Sequence, residues 1–522
     1  TQLRRLRKHE GLRRALLEEP ERTAAEVDGK LALLAAEVPT HLIDRVPHFQ
    51  AMARLERRRG NDLIAATYLL RAMRWGGEDR RGDLPFVAQT LATHGFPREA
   101  ATAEAMFGPQ PEREARCLDI LRGAYDANRS KPAMPLAALD DRRGTATPCV
   151  AVIASLYNAA DKLPTLLRML ARQSIAQQGA LEVVLVDSNS PSDERGAFAA
   201  FAAAHPDLPM VFARSAERET IQAAWNRGIH LSRAPYLSFL GADEGLHPDA
   251  LRQLAAALDA DASVDWAMAD SLVTSVDRHG VYDSDVMTYD RRGFRQDLVY
   301  LETCYLSWVG GLYRRSIHDR FGLYDESYRA AGDTEFKNRI MPHIRSVHVP
   351  RMLGVFNNYP EERTTQHPRA EIEDLRAWYL WRSEAGMRYA FTRRPVEDAL
   401  ALLRDCFGYR KSFCGHLSTD FDLAGALGRY VMSRPDAPPE ADAVARAAAE
   451  GEAALRALDA LQFDTAPDRL GIARTRLGWR QLHDVLALAP AHQAALGLAS
   501  PPPYAVFNDN RYEQHWWSWS AV

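Results

Sequence analysis

The sequence predicts an α/β protein in which a mostly parallel sheet, covered by helices on both faces, is flanked by all-helical regions. The first observation is the alternation of short apolar runs with helical patterns through the middle of the chain. The second is that these runs, such as 149–157 and 182–187, are continuously apolar, as in strands buried on both faces. The third is the helical spacing of leucine and alanine in the first 125 residues and after residue 371.

The composition narrows the classes of function. Hydrophobic residues make up 46% of the 522 residues and charged residues 26%, which is the balance of a folded protein. The net charge is −4, and nucleic-acid binding relies on a basic field, so we predict no nucleic-acid partner. The five cysteines contain no C-x-x-C pair, which argues against a zinc ribbon and fits a reducing compartment.

The sequence also predicts no transmembrane segment. No apolar run reaches the ~18 residues that a membrane helix needs. The basic N-terminus lacks the apolar segment of a signal peptide. We therefore predict a cytoplasmic location, with a peripheral position at the inner face of the membrane as an alternative.

Changes in composition and periodicity along the chain predict four segments. They are a helical region at 1–125, a linker with three prolines at 126–147, an α/β domain at 148–370, and a helical C-terminal region with an aromatic tail at 371–522. The tail contains three tryptophans between residues 516 and 519, which suit stacking on sugar rings or contact with a membrane surface. Docking of the tail on its own protein is the alternative.

The first segment contains a weak repeat. Gly60 and Gly95 lie 35 residues apart, and each precedes an alanine-rich helix. This period resembles that of tetratricopeptide (TPR) helix pairs, which bind partners along a concave face. We predict a TPR-like region that can hold a protein partner; an ordinary helical domain with a chance period is the alternative.

Polar residues follow three of the predicted strands, where a parallel sheet binds its ligands. They form the groups Ser155-Leu156-Tyr157-Asn158, Asp187-Ser188-Asn189-Ser190 and Gly241-Ala242-Asp243-Glu244. A carboxylate at a strand end can hold a base or a ribose, and two adjacent carboxylates can hold a divalent cation that bridges phosphates. The alternative for Asp187 is a turn residue, and the alternative for Asp243 and Glu244 is a loop before a helix.

The order of these blocks resembles that of the family 2 glycosyltransferases of the GT-A fold, over about residues 148–365. VAVIASLYN is similar to the family's V-x-I-x-x-Y-N opening, and LEVVLVDSNSPSDE is similar to its second strand. AWNRGIHLSRAPYLSFLGADEGLHPDAL resembles the block that carries the D-x-D motif. FGLYDESYRAAGDTEFKNRI resembles the acceptor-side block. Four blocks in the family's order make a specific match.

The resemblance implies a role for each matching residue. Tyr157 and Asp187 contact the nucleotide base, Asp243 binds the metal, and Asp333 is the general base that deprotonates the acceptor hydroxyl. Beside this carry-over, we predict Glu244 as a second metal ligand. The donor site also includes Ser155, Asn158, Asn226 and Ala242. The implied cofactors are Mg²⁺ or Mn²⁺ and a UDP- or GDP-linked sugar.

The sequence departs from the family pattern at the metal site. Gly241 stands in place of the first acid of D-x-D, and Glu244 is the residue that can compensate. A histidine that often completes the metal shell falls near Asn357-Asn358, where the amide oxygens are uncharged ligands. His348 and His367 are alternatives for that histidine, although each more often packs or lies on the surface.

Three further assignments remain open at the sequence level. We expect Arg218 and Glu219 to contact the nucleotide or the pyrophosphate, and Trp308 with Gly310-Gly311 to line the acceptor pocket. Packing is the alternative for Trp308. Asp333 has an alternative as the N-cap of the helix that GDTEFKNRI begins, with Glu335 in its first turn.

We therefore predict an inverting, metal-dependent glycosyltransferase. Its acceptor is a glycan, a lipid-linked glycan or a protein, in bacterial surface-glycan assembly or protein glycosylation. The first alternative is a non-catalytic helical scaffold with a degenerate transferase domain, which Gly241 favours. The second is a sugar nucleotidyltransferase, but SLYNAADKL lacks the glycine-rich phosphate loop that such an enzyme needs.

Overall fold

The computed structural model describes most of the chain, in two compact units. Among the described residues, the first unit holds those up to Leu121 and those from Glu371 to Arg446, and the second holds those from Arg122 to Ala370. The described residues are 23–36, 42–76, 82–109, 111–126, 135–145, 147–276, 282–289, 309–358, 369–392, 394–408 and 417–446. The predicted aromatic tail lies outside them.

The N-terminal part of the chain is helical, as predicted. Its described helices are α1 (Ala24–Ala36), α2 (Leu42–Arg58), α3 (Asp62–Gly76), α4 (Leu84–Thr93), α5 (Pro97–Phe107) and α6 (Arg113–Asp126). Gly60 follows α2 and Gly95 follows α4, with φ of 78° and 87°. Glycine adopts this left-handed conformation without strain, and it ends a helix. Helix α2 packs on α3, and α4 packs on α5. The likeness to tetratricopeptide pairs stays a prediction.

The C-terminal helices belong to the same unit as the N-terminal ones. The described elements are the helices Arg369–Asp374, Glu384–Phe391, Val396–Gly408 and Leu417–Met432, and a π-helical turn at Leu375–Tyr379. Ile372 and Leu375 enter the apolar core of α3 to α5. Arg376 forms a buried ion pair with Glu99 at 2.9 Å, and Arg71 pairs with Glu371. The sequence predicted two helical regions, and periodicity alone could not indicate that they share one core.

The second unit is built on a ten-stranded sheet among the described residues. Its strands are β1 (Leu136–Asp141), β2 (Val150–Leu156), β3 (Leu181–Asp187), β4 (Met210–Ser215), β5 (Tyr236–Phe239), β6 (Gly245–Leu246), β7 (Trp266–Val276), β8 (Tyr282–Tyr289), β9 (Gly311–Arg314) and β10 (Ser346–Asn358). The order is β1-β4-β3-β2-β5-β9-β7-β10-β6, and β8 pairs with β7. Strands β4, β3, β2 and β5 are mutually parallel, and β7 is parallel to β10.

Helices cover both faces of this sheet. They are α7 (Leu163–Ala171), α8 (Ser174–Gln177), α9 (Glu194–Ala204), α10 (Ile221–Leu231), α11 (Ala250–Ala260), α12 (Ser316–Phe321) and α13 (Gly332–Ile340). Alternate residues of β2 point to opposite faces. Val150 and Val152 join the core formed with α7, α9 and α11, whereas Ile153 lies against Gly228 of α10, where a Cβ would meet its Cγ2 at 2.3 Å. The predicted fold class, a mostly parallel sheet between helices with helical regions before and after it, is confirmed.

The segment predicted as a linker differs from that expectation. Residues 126–147 contain β1, which pairs antiparallel with β4 at the edge of the sheet. Its side chains are mostly exposed, so it lacks the apolar pattern by which the inner strands are recognised. Along the described part of the chain, no helix has the length and apolarity that a membrane span requires.

Candidate active site

Three loops meet at one edge of the sheet. Because β2, β3 and β5 are parallel, their carboxyl ends share this edge, which we call the ligand edge. Leu156 is opposite Asp187 in the register, so the turns after β2 and β3 are neighbours. The turn at 241–244 follows β5 at the same edge. Strand β9 is antiparallel to β5, so its first residue, Gly311, and the preceding Gly310 also lie at this edge.

Asp187 ends β3 as a fully buried carboxylate. Arg214 donates from Nη1 to its Oδ2 at 2.5 Å, and the Ser190 N–H donates to Oδ1 at 2.7 Å. The bond from Ser190 is the turn contact expected for a structural role. Burial raises the pKa of Asp187 despite these donors. The residue therefore both shapes the turn and fixes a guanidinium at the ligand edge.

Arg214 is a residue that the sequence reading missed. Its Nη2 also donates to Asn189 Oδ1 at 2.9 Å and to the Ser190 carbonyl at 2.8 Å. It lies opposite Asp187 in the parallel register of β3 and β4. The signal was present in the predicted strand PMVFAR, whose last residue is a cation at the carboxyl end of a parallel strand.

We expect Asp187→Ala to weaken nucleoside diphosphate binding roughly tenfold or more, whatever sugar is attached, because hydrogen bonds to charged groups contribute about 1.5–3 kcal/mol. Isothermal titration calorimetry measures this affinity. Asp193→Ala is the matched control, because Asp193 caps α9 by accepting from the Gly196 N–H at 2.9 Å. The control should lose about 1 kcal/mol of stability and keep its affinity. Unchanged affinity in Asp187→Ala would leave Asp187 as a turn residue.

Glu194 joins the turns that follow β2 and β3. This buried carboxylate accepts from the hydroxyls of Ser190 and Ser192, both at 2.7 Å, and from the Ala159 N–H at 2.8 Å. Burial by itself raises the pKa of Glu194, but these donors outweigh it and leave the pKa below its usual value. Asn158 has φ of 52°, and its N–H donates to Ser190 Oγ at 2.9 Å. The backbone around the predicted donor residue Asn158 is therefore held in place.

Tyr157 and Arg218 form one wall of the ligand edge. The Arg218 guanidinium lies 4.0 Å from the centre of the Tyr157 ring, and Tyr157 is 39% exposed. Ser155 lies two residues earlier, in β2. Glu219, which we expected to contact the nucleotide, instead forms a buried two-point ion pair with Arg227 at 2.9 and 3.1 Å. Its role is to fix the start of α10.

The turn after β5 explains how glycine replaces an acid at position 241. A Cβ on Gly241 would lie 2.9 Å from Asp243 Oδ1 and 3.3 Å from Glu244 Cδ. The Glu244 carboxyl folds back and accepts from the Gly241 N–H at 2.6 Å. It therefore occupies the space beside the missing side chain, next to Ala242, whose methyl packs toward the apolar core.

Asp243 has charged and polar neighbours from distant parts of the chain. Lys162, the residue before α7, places Nζ at 3.3 Å from Asp243 Oδ2. Asn357 donates from its side-chain amide to the Asp243 main-chain carbonyl. Asn357 therefore lies beside Asp243, near where we expected the family's histidine. In the described contact, however, Asn357 donates a hydrogen bond, whereas a metal ligand would have to present its amide oxygen. The side chain of Asn358 is outside the described residues.

Burial raises the pKa of Glu244 to about 8, with Asp243 adding to the increase and the Gly241 N–H opposing it. The folded state therefore retains a proton that the unfolded chain releases near its usual value of about 4.3. Protein stability should fall as the pH rises from about 4.5 to about 8. Melting temperatures measured across this range test the slope, and Glu244→Gln should flatten it. An equal slope in the variant would assign the dependence to another group.

Asp333 is the second residue of α13, in which Ala331 is the N-cap. The alternative role of Asp333 as the N-cap of this helix is therefore wrong. One turn later, Lys337 Nζ lies 3.7 Å from Asp333 Oδ2, and the Asp333 side chain is 32% exposed. Glu335 is committed elsewhere, because it forms a buried two-point ion pair with Arg339 at 2.9 and 3.0 Å.

Gln222 and Gly332 connect α13 to the ligand edge. Gln222 lies in the first turn of α10, which follows the carboxyl end of β4. A Cβ on Gly332 would meet the Gln222 side chain at 2.5 Å, so this carboxamide lies against the residue before Asp333. Gln222 is 3% exposed, and its Oε1 has no hydrogen-bond partner among the residues that the structure describes. No motif or periodicity pointed to Gln222 as a site residue.

Asn226 has a structural environment. Its amide donates to the Tyr324 carbonyl at 2.9 Å and to Glu326 Oε1 at 3.0 Å, and its Oδ1 accepts from the Tyr324 N–H at 2.9 Å. Asn226 thus ties α10 to the loop that leads to α13. Its assignment to the donor site stays a prediction.

The remaining candidates lie elsewhere. His348 hydrogen-bonds Asp270 at 2.9 Å between the parallel strands β10 and β7. Trp308 and His367 are outside the described residues. Among the described residues, no group of three or more His, Cys, Asp or Glu side chains could hold a metal ion.

Comparison with known proteins identifies the family of this domain. Residues 151–322 match the family model described as "Glycosyl transferase family 2". The match contains Asp187 and Asp243 and ends before Asp333. A "PGL/p-HBAD biosynthesis glycosyltransferase" of Mycobacterium bovis (strain BCG / Pasteur 1173P2) is 29% identical over 221 residues, 41% of this chain and 78% of that protein. A protein of the same name from Mycobacterium tuberculosis (strain ATCC 25177 / H37Ra) gives the same values.

Solved glycosyltransferases resemble the chain more distantly. TarS 1-349 of S. aureus with UDP-GlcNAc has 16% identity and a TM-score of 0.39, and the match covers 60% of this chain and 87% of TarS 1-349. The mannosyltransferase PcManGT of Pyrobaculum calidifontis, with GDP-Man and Mn²⁺, has 18% identity and a TM-score of 0.32 over 83% of this chain and 99% of PcManGT. These scores are low, so the assignment rests on the family match and on the sheet itself. Residues 151–322 carry a family 2 glycosyltransferase domain, and the protein is a glycosyltransferase.

Proposed function

We propose that the enzyme transfers a sugar from a UDP- or GDP-linked donor to a hydroxyl acceptor, with inversion at the anomeric carbon. The acceptor is a glycan, a lipid-linked glycan or a protein. The observation that carries the proposal is the convergence of Asp187 and Asp243 on the ligand edge. Gln222 packs against Gly332 and so brings Asp333 towards the same edge.

The donor side of the proposal uses the two turns after β2 and β3. The Tyr157 ring suits stacking on a base, and Arg218 covers one of its faces. The buried Asp187 and its partner Arg214 offer an acceptor and a donor to the base or ribose edge. Arg214 and Arg218 add positive charge that favours binding of a diphosphate.

The proposed chemistry is a single displacement. The acceptor oxygen forms a bond to the anomeric carbon while the bond to the diphosphate oxygen breaks, and the diphosphate leaves with the electron pair. Asp333 takes the proton from the attacking hydroxyl. Asp333 is partly exposed at the start of α13, so an acceptor can reach it.

The residues at 241–244 fit a divalent cation that is completed by the donor. Asp243 and Glu244 supply hard oxygen ligands, and Mg²⁺ is commonly held by one or two carboxylates together with phosphate oxygens. When bound, such an ion neutralises charge on the leaving diphosphate. The chain's own contribution is to place Asp243 at the ligand edge and to hold Glu244 on the Gly241 N–H.

The relatives suggest a biological setting. The mycobacterial relatives are named for PGL/p-HBAD biosynthesis. We propose that this enzyme acts in assembly of a bacterial surface glycan, with protein glycosylation as the other setting. The helical unit is the proposed site of a protein partner.

A panel of nucleotide sugars, including UDP-GlcNAc and GDP-Man, tests the donor. A donor at 100 times its Kd should stabilise the protein by roughly 2.7 kcal/mol, measured as a thermal shift with and without Mn²⁺. NMR of the product anomer then tests inversion. Absence of binding by every donor would favour the non-catalytic scaffold, and a retained anomeric configuration would remove the single displacement.

A further inference from the structure

Lysine is rare in this chain, and Lys162 contacts Asp243, the carboxylate that we assign to the metal. Six of the 65 basic residues are lysines. Lys162 Nζ lies 3.3 Å from Asp243 Oδ2, and the two side chains are 29% and 24% exposed. A partly buried pair of charges interacts more strongly than a pair in bulk water. A divalent cation that binds Asp243 Oδ2 therefore competes with this ammonium group.

We propose that Lys162 is the resident counter-ion of Asp243 and makes cation binding conditional on the nucleoside diphosphate. This inference rests on the proposed function. Without the nucleotide, Lys162 neutralises Asp243 and repels a cation. The diphosphate provides negative oxygens for the ammonium and further ligands for the cation, so Lys162 moves from carboxylate to phosphate as the cation binds.

The groups around Asp243 favour binding of the cation together with the nucleotide rather than before it. The Glu244 carboxyl is turned toward the Gly241 N–H, and Asn357 presents a donor rather than an acceptor to the Asp243 carbonyl. No cluster of three ligands of the usual acidic, His or Cys types surrounds Asp243 within the described ranges. Of the two carboxylates at this turn, the one that is not turned toward a backbone N–H is therefore the one that Lys162 contacts.

The inference has a thermodynamic signature. By linkage, the cation and the nucleotide raise each other's affinity by the same factor. If Lys162 opposes the cation only before the nucleotide binds, removing the ammonium strengthens binding of the cation alone and reduces the coupling factor. A lysine that merely packs at the surface changes neither quantity.

The test measures Mn²⁺ binding to the full chain by electron paramagnetic resonance, first without nucleotide and then with UDP or GDP. Lys162→Met should bind Mn²⁺ alone roughly fivefold tighter than the wild type, the effect of removing a partly exposed ion pair. The coupling factor should fall by at least that amount. Lys162→Arg keeps the charge and should keep the weak binding of Mn²⁺ alone.

Lys337→Met is the matched control, because it removes the lysine beside Asp333 and should leave Mn²⁺ binding unchanged. Equal Mn²⁺ affinity and equal coupling in Lys162→Met and the wild type would overturn the inference while leaving the proposed function intact. If neither UDP nor GDP binds the wild type with or without Mn²⁺, the proposed function fails instead, and the inference fails with it.

Discussion

Replacing Asp333 with asparagine should lower turnover by roughly 10²–10⁴-fold, because the amide keeps the shape of the carboxylate but cannot take a proton. Affinity for the donor should stay unchanged, since Asp333 is assigned to the acceptor side. Stability should change by less than about 1 kcal/mol, because the described ion pair with Lys337 is long and partly exposed. Initial rates and donor titrations on the purified variant measure both quantities.

Glu335→Gln is the control that separates a base from a structural acid. Glu335 is the other carboxylate in α13, but it forms a buried ion pair with Arg339. Removing its charge leaves a buried guanidinium uncompensated and should cost about 3 kcal/mol of stability. A stable Glu335→Gln protein without turnover, beside a fully active Asp333→Asn, would move the role of base to Glu335.

The second large effect is expected at the metal site. Asp243→Ala should lower kcat/KM by roughly 10²–10³-fold, as does loss of one preorganised group that stabilises developing charge. It should also abolish the dependence of nucleotide binding on Mn²⁺. The fold should persist, because Asp243 is a turn residue beyond the end of β5.

Asp249→Ala serves as its control. Asp249 lies six residues later and pairs with Arg252 on the surface at 3.2 Å. Its rate and its Mn²⁺ dependence should match those of the wild type. Full activity in Asp243→Ala would remove the D-x-D assignment, whereas loss of activity in both variants would point to damage of the turn.

The inner strands of the sheet could be predicted because each is buried on both faces and is therefore continuously apolar. Strand β3, at Leu181–Asp187, is buried along its whole length, and its predicted bounds differ by one residue. Strand β1 was missed because an edge strand with exposed side chains has the composition of a loop. The polar residues that end the inner strands were predictable for the same reason, since they interrupt an apolar run.

The partners of the site residues could not be predicted in the same way. Lys162 reaches Asp243 across 81 residues of sequence, and periodicity carries no information about such contacts. Gln222 meets Gly332 only because two helix N-termini meet at one edge. We expected Glu219 to contact the nucleotide or the pyrophosphate, but it forms a buried ion pair with Arg227. This pair depends on how α10 packs, and local sequence patterns carry no information about that packing.

The helical unit that combines both ends of the chain has a consequence for biosynthesis. Arg71 and Glu371 are paired across 300 residues. At a translation rate of about 5–20 residues per second, the ribosome needs about 15–60 s to reach Glu371 after Arg71 has been made. The transferase domain is synthesised during this interval, while the core around Leu91 still lacks Ile372 and Leu375. The first helices must therefore wait for the last, and a chaperone that holds exposed apolar helices during translation should raise the yield of folded enzyme.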